Sequence, residues 1–192
     1  MTRRQFGAFS AFCGLCEKGG LGLGMRHCCN SAAIVNFPEM HLDAVRAGIL
    51  LYGLSPNPGV TDAAGLLPCM TLKANVVQLS HIRKGDTVSY GAAFVSDRDM
   101  TVATLSVGYA DGLFRALSGK ADVVIRGKKA KMVGKICMDM CMADVSDIDC
   151  EVGDEAVIFG DGQSADRLAE LAGTINYEIL CSVRNRVSRR YI

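Results

Sequence analysis

The sequence predicts a mostly β protein: a β-barrel or sandwich preceded by a short piece of α/β architecture. Two features predict it. From Met70 onward, short β-rich runs alternate with Gly/Asp turns, the pattern of an all-β domain. Upstream, strand, helix and strand signals follow one another and stop at the punctuation Ser55-Pro56-Asn57-Pro58-Gly59. The domain boundary is therefore expected between Pro56 and Leu67, with a first segment over 1–60 and the β-domain over 66–192.

In chain order, Phe6, Phe9, Ala11, Phe12 and Leu15 fall near helical spacing, and Gly19-Gly20 ends that helix. Leu23 to Cys29 reads as a strand. Asn30 then caps a helix that opens on Ser31-Ala32-Ala33. A short helix is expected over Glu39 to Ala44, and Ile49-Leu50-Leu51-Tyr52 as a buried strand. In the β-domain the strand candidates are Met70–Ile82, Thr87–Tyr90, Met100–Val107, Ala121–Ile125, Lys131–Ile136, Met138–Val145 and Glu155–Phe159. Turns at Lys84-Gly85-Asp86, Arg126-Gly127-Lys128 and Glu151-Val152-Gly153-Asp154 separate several of them. Ser164 caps a helix running to Gly173, and Thr174 or Asn176 starts a last one.

Composition excludes several function classes. Lys+Arg total 21 and Asp+Glu 20, so the formal net charge is +1 and nothing marks a nucleic-acid partner. Trp is absent, which leaves few surfaces on which bases could stack. No apolar run approaches the ~20 residues that span a bilayer. The basic start Met1-Thr2-Arg3-Arg4 before a small-residue apolar stretch superficially resembles a signal peptide, but the stretch continues better as an amphipathic helix. Nine cysteines at irregular spacing are no disulfide framework and fit reduced thiols in a cytoplasmic protein. Cys13-Gly14-Leu15-Cys16 lacks the second pair of a zinc site, and Cys137-Met138-Asp139-Met140-Cys141-Met142 reads as strand packing, so no metal site is expected.

A set of segments carries further information through its order: His27-Cys28-Cys29-Asn30-Ser31-Ala32-Ala33, Val45-Arg46-Ala47-Gly48-Ile49-Leu50-Leu51-Tyr52-Gly53, Val88-Ser89-Tyr90-Gly91-Ala92, Val107-Gly108-Tyr109-Ala110-Asp111-Gly112, Val133-Gly134-Lys135-Ile136-Cys137-Met138-Asp139 and Thr174-Ile175-Asn176-Tyr177-Glu178. In this order they resemble the alanine racemases, and the resemblance covers essentially the whole chain. It implies the complete C-terminal β-domain of that family, preceded by the last two or so βα units of its pyridoxal-phosphate (PLP)-binding α/β barrel. Two such units cannot close an eight-stranded barrel, so their apolar faces are left for an association.

The resemblance also implies roles. Asn30, Ser31, Gly48 and Ile49 correspond to the PLP phosphate cradle, where a helix N-terminus and a hydroxyl suit a dianion. Arg46 corresponds to the arginine facing the cofactor's pyridine nitrogen, with His27 bracing it; a guanidinium only donates, so the ring nitrogen would stay unprotonated. Tyr90 corresponds to one of two catalytic bases that work opposite faces of the substrate Cα, Tyr109 to the substrate entry, Met138 and Asp139 to the stretch near the substrate carboxylate, and Tyr177 to a partner of the phosphate. Asp111 is expected as a turn partner and not as a base.

The family anchors PLP as a Schiff base on a lysine early in its barrel, in a segment like Val-Lys-Ala-Asn-Ala-Tyr-Gly-His-Gly. No such segment occurs here, and Leu72-Lys73-Ala74-Asn75 is a decoy that lacks its continuation. The expectation is a truncated or split racemase, interconverting L- and D-alanine for peptidoglycan precursors across a head-to-tail homodimer or with an N-terminal half. The alternatives are a non-catalytic β-domain that binds a partner, a thiol or metal protein, or a racemase preferring serine or another amino acid. Ala47, Met140, Lys131 and Ser188 depart from the common family pattern and touch backbone stiffness and packing more than chemistry.

Overall fold

A computed structural model of the chain describes residues 1–56 and 65–192; Asn57-Pro58-Gly59 of the expected punctuation lie outside the described residues. The chain divides into two compact units, Met1–Cys69 and Met70–Ile192.

In the first unit, helix α1 spans Thr2–Lys18. The parallel strands β1 (His27–Asn30) and β2 (Ala44–Arg46) flank helix α2 (Ser31–Asn36). Asn30 caps α2 as expected, its side-chain oxygen accepting from the Ala33 N–H at 3.0 Å. A clamp sets the parallel pair. The Arg26 guanidinium grips both carboxylate oxygens of Asp43 at 2.9 and 3.2 Å, the Asp43 carboxylate also accepts the Arg26 N–H, and the Asp43 N–H returns to the Arg26 carbonyl. β1 is shorter than the strand expected from Leu23. The helix expected over Glu39 to Ala44 is a single 3-10 turn, Pro38–Met40, before β2 begins.

The strand expected at Ile49–Tyr52 is a 3-10 turn as well. A short apolar run does not by itself distinguish strand from helix. The flanking backbone decides: Gly48 sits at ψ −95°, and Gly53 at φ +70° is packed so tightly that a Cβ there would collide with the Leu67 carbonyl. Ile49 alone of the four is buried, while Leu51 is 71% exposed.

The second unit is built on a closed antiparallel barrel. Its strands are β3 (Leu72–Ile82), β6 (Met100–Leu105), β7 (Asp122–Ile125), β8 (Lys128–Val133), β9 (Cys141–Asp144) and β10 (Glu155–Phe159), ordered β10-β3-β6-β9-β8-β7, with β7 pairing back onto β10. The first half of β3 alternates strictly: Leu72, Ala74 and Val76 point into the core, and Lys73, Asn75 and Val77 point out. Val76, Leu105, Val123, Ile125, Met132, Ala143 and Ile158 fill the barrel. At Arg126-Gly127 both residues have positive φ, as a two-residue hairpin turn requires, which fixes Ile125 opposite Lys128. β8 therefore starts three residues before the strand expected at Lys131 and ends at Val133, before Gly134 at φ +69°.

A hairpin of β4 (Thr87–Val88) and β5 (Phe94–Val95) lies beside the barrel. Val88 and Phe94 pack on Met100, Val102 and Val133, which ties the hairpin to the barrel wall. Helices α3 (Ala165–Ala172) and α4 (Asn176–Ser182) close the chain. Ser164 caps α3 through the Arg167 N–H at 3.1 Å, and Gly173 ends it in the left-handed region. Among the described residues no helix is long and apolar enough to cross a membrane.

Candidate active site

The candidate residues fall in two groups, one in each unit. In the first, α2 begins where β1 ends, so Asn30 and Ser31 sit at a strand-to-helix junction. Ser31 is 4% exposed, and its hydroxyl oxygen accepts the Gly48 N–H at 3.0 Å. That bond joins the start of α2 to the turn carrying Ile49. A Cβ at Gly48 would meet the Ser31 hydroxyl at 3.7 Å, an ordinary contact, so close approach does not require glycine there.

Arg46, the last residue of β2, lies opposite Asn30. Its Nη1 donates to His27 Nδ1 at 3.0 Å, and its guanidinium also reaches the carbonyls of His27 and Cys28. Because a guanidinium only donates, His27 Nδ1 must accept, which leaves the ring proton on Nε2. The brace expected from His27 is therefore present and selects a tautomer.

The second group is organised by close backbone contacts. Tyr90 is not on a strand: β4 ends at Val88, and Tyr90 opens a 3-10 turn to Ala92. Ser89, Gly91 and Ala92 all have positive φ, so two non-glycine residues flanking Tyr90 hold an uncommon conformation. Ser89 is secured to Lys135 by two hydrogen bonds, its hydroxyl accepting from the Lys135 N–H and donating to the Lys135 carbonyl. The Tyr90 side chain is 76% exposed at a pocket of about 540 Å³ that Ser89, Thr104, Cys137, Met140 and Met142 also line.

The Tyr109–Asp111 turn lies directly on the Cys137–Met138 backbone. The Tyr109 and Ala110 N–H groups donate to the carbonyls of Cys137 and Met138 at 3.0 Å each. A Cβ at Gly108 would collide with both carbonyls, which is why glycine precedes Tyr109. Asp111 accepts the Gly108 N–H at 2.9 Å and pairs with Arg186 Nε at 2.8 Å, the turn-holding role expected of it. Arg186 also pairs with Asp139. Tyr109, Met138 and Asp139 are thus brought together by residues far apart in sequence. Tyr177 lies in the first turn of α4, whose Ser182 hydroxyl donates to the Gly112 carbonyl at 2.8 Å and joins that helix to the same turn.

Lys73 points out of β3 and pairs with Glu155 at 2.8 Å. An exposed, paired ammonium is the opposite of the desolvated amine that a Schiff-base lysine needs. Among the described residues no three metal-ligating side chains converge. Cys141 is buried, and burial pushes its thiol up to about 12.

The sequence reading passed over Arg186, Ser182 and the Ser89–Lys135 pair. Arg186 lies 75 and 47 residues from its partners, so no local pattern signals it.

The comparisons with known proteins agree along the chain. The family model described as "Alanine racemase, C-terminal domain" matches residues 69–191, and "Alanine racemase, N-terminal domain" matches 1–56. An alanine racemase of Desulfovibrio desulfuricans is 48% identical over 98% of this chain and 51% of its own length. Alanine racemase 1 of Clostridium acetobutylicum is 46% identical over 100% of this chain and 51% of its own. The structure superposes on the alanine racemase of a D-cycloserine-producing Streptomyces lavendulae with TM-score 0.93 at 39% identity, covering 100% of this chain and 52% of that one. It superposes on a Clostridium difficile 630 alanine racemase in complex with cycloserine with TM-score 0.93 at 38% identity, covering 97% and 50%. The chain spans about half the length of the relatives it matches. The chain belongs to the alanine racemase family.

Proposed function

We propose that this chain is the C-terminal part of a PLP-dependent alanine racemase, and that Tyr90 is one of its two bases. The observation that carries the reading is the presentation of Tyr90: an exposed phenol on a turn of positive-φ residues, held by Ser89 to Lys135, in a member of this family. Residues 1–60 are read as the end of the cofactor barrel and 66–192 as the family's β-domain.

The first unit fits PLP chemically. The Ser31 hydroxyl accepts from Gly48 and, as both donor and acceptor, keeps its proton for a phosphate oxygen. Asn30, Gly48 and Ile49 complete the cradle; Tyr177 is assigned to the phosphate by its correspondence to the family's tyrosine alone. Arg46 offers donors and no acceptor, so it would face the pyridine nitrogen without protonating it. When bound, PLP withdraws electrons from the substrate Cα and makes its proton removable.

The chain's own groups then do the following. Tyr90 takes the Cα proton on one face or returns it there, work that needs the phenol oxygen within hydrogen-bond reach of that proton. The Met138-Asp139 stretch meets the substrate carboxylate mainly through backbone N–H, and Tyr109 narrows the entry. The second base is the anchoring lysine, which is not among these 192 residues. Tyr90 serves the partner's site in a head-to-tail homodimer. The setting is the cytoplasm, and the product is D-alanine for peptidoglycan precursors.

The test measures D-alanine formed from L-alanine by the chain with PLP, with and without the N-terminal half of a family member. Activity that needs the added half and disappears in Tyr90→Phe supports the reading. Activity of the chain alone overturns the absent-lysine part, and undiminished activity of Tyr90→Phe overturns the base assignment.

A further inference from the structure

Strand β1 carries two adjacent cysteines whose thiols share one side. His27 pairs with Ala44 and Asn30 with Arg46, so three steps along β1 match two along β2. The extra residue is a bulge at Cys28-Cys29, and a bulge breaks the alternation that would send adjacent side chains to opposite faces. Both sulfurs turn to one acceptor: Cys29 Sγ donates to the Met40 carbonyl at 3.1 Å and Cys28 Sγ at 3.4 Å, leaving the sulfurs 4.0 Å apart. A cavity of about 350 Å³ is lined by both cysteines, with Phe6, Phe9, Met40 and Arg46 among its other walls.

What this pair could hold is limited by geometry. A disulfide fits poorly, because Cα atoms ~3.8 Å apart across a trans peptide fall short of the usual ~4.4–6.8 Å. A tetrahedral metal fits the sulfur spacing, since thiolates at ~2.3 Å from zinc stand about 3.8 Å apart. It needs further ligands, however. Among the described residues no set of three metal-ligating groups forms, and the neighbouring His27 Nδ1 is already taken by Arg46. The ligand that suits two thiols and an aromatic-walled cavity is one that needs only two sulfurs and brings its own apolar group.

We propose that Cys28 and Cys29 form a dithiol site for monosubstituted trivalent arsenicals, with the organic substituent in the cavity beside Phe6 and Phe9. The step balances without an oxidant. R–As(OH)₂ and two thiols give R–As(S–Cys28)(S–Cys29) and two waters; two As–O and two S–H bonds break, two As–S and two O–H bonds form, and arsenic stays trivalent. The hydrogen bonds of both thiols to Met40 are given up as the ring closes.

The experiment treats the full chain with phenylarsine oxide, which hydrates to such an arsenical, and follows intact mass and peptide maps. One adduct per chain is expected, on the peptide carrying Cys28 and Cys29. It resists excess monothiol and is released by a 1,2-dithiol. Cys28→Ser and Cys29→Ser each abolish it, whereas Cys13→Ser and Cys137→Ser, which break the pairs Cys13/Cys16 and Cys137/Cys141, leave it unchanged. An adduct that persists in folded Cys28→Ser, that maps to Cys13 and Cys16, or that monothiol removes overturns the proposal. If Cys29→Ser fails to fold, Cys28→Ser and the map of the unsubstituted chain still decide.

Discussion

The Ser89 hydroxyl accepts the Lys135 N–H and donates to the Lys135 carbonyl, 3.0 Å each way, so one side chain satisfies both backbone groups of a residue 46 positions away. This clasp joins the β4 end to the loop after β8 and sets where Tyr90 stands. Removing it in Ser89→Ala forfeits two hydrogen bonds, worth roughly 0.5–1.5 kcal/mol each. The expected outcome is a lower urea midpoint for the β-domain and, in an assembled racemase, a fall in kcat larger than the change in KM. Gly134→Ala should act in the same direction, because its Cβ would meet Ser89 Cβ at 2.7 Å on a backbone at φ +69°, a strain of about 1–3 kcal/mol. Equal urea midpoints for wild type and both variants would remove the clasp from the account.

Gly108→Ala tests the backbone contact beneath Tyr109. The added Cβ collides with the Cys137 and Met138 carbonyls, and a backbone carbonyl cannot turn aside as a flexible side chain would. We expect about 1–3 kcal/mol of destabilisation, as for other overpacked positions, read from thermal unfolding.

Arg186→Met probes an electrostatic tie of a different size. The ion pairs with Asp111 and Asp139 are partly open to water, so the loss of stability should be small. Hydrogen exchange at Tyr109 and Ala110 should nonetheless quicken, since Arg186 holds together the turn and the loop it lies on. Unchanged exchange would show that backbone contacts alone suffice.

The Arg26–Asp43 clamp makes a pH prediction. Hydrogen bonds from Arg26 lower the Asp43 carboxyl from 3.8 to about 2. A carboxylate lowered on folding adds stability above its unfolded pKa and loses it as pH falls through the folded one. This contribution should therefore be whole above about pH 4 and decline toward pH 2. Carboxyl-carbon NMR titration should find Asp43 depressed in the native chain and less so in Arg26→Gln, which removes the guanidinium but keeps the backbone N–H bond.

Cys141 has the opposite sign. Its thiol is raised from 9.0 to about 12 by burial, so above pH 9 the unfolded chain ionises while the folded one does not. Stability from this group falls between pH 9 and about 12. In the native protein Cys141 should resist alkylation at pH 8.5, and labelling there as fast as in urea would contradict its burial.

Much of this protein was legible in its sequence because the signals are local. Alternation along β3, the positive-φ turn Arg126-Gly127 and the Ser164 cap each depend on neighbours a few residues apart. The β-rich second unit, as barrel or sandwich, and the α2 start at Asn30-Ser31 followed from such signals, as did the family resemblance. Ile49–Tyr52 was misread because four apolar residues suit strand or helix alike, and the choice fell to the backbone at Gly48 and Gly53. Only the tertiary structure decided that Tyr90 leaves its strand, that Arg186 joins Asp111 to Asp139, and that Cys28 and Cys29 share one side of a bulged strand. Each of these depends on contacts between segments distant along the chain, or on a register set by the opposite strand. Composition and periodicity carry no record of such partners.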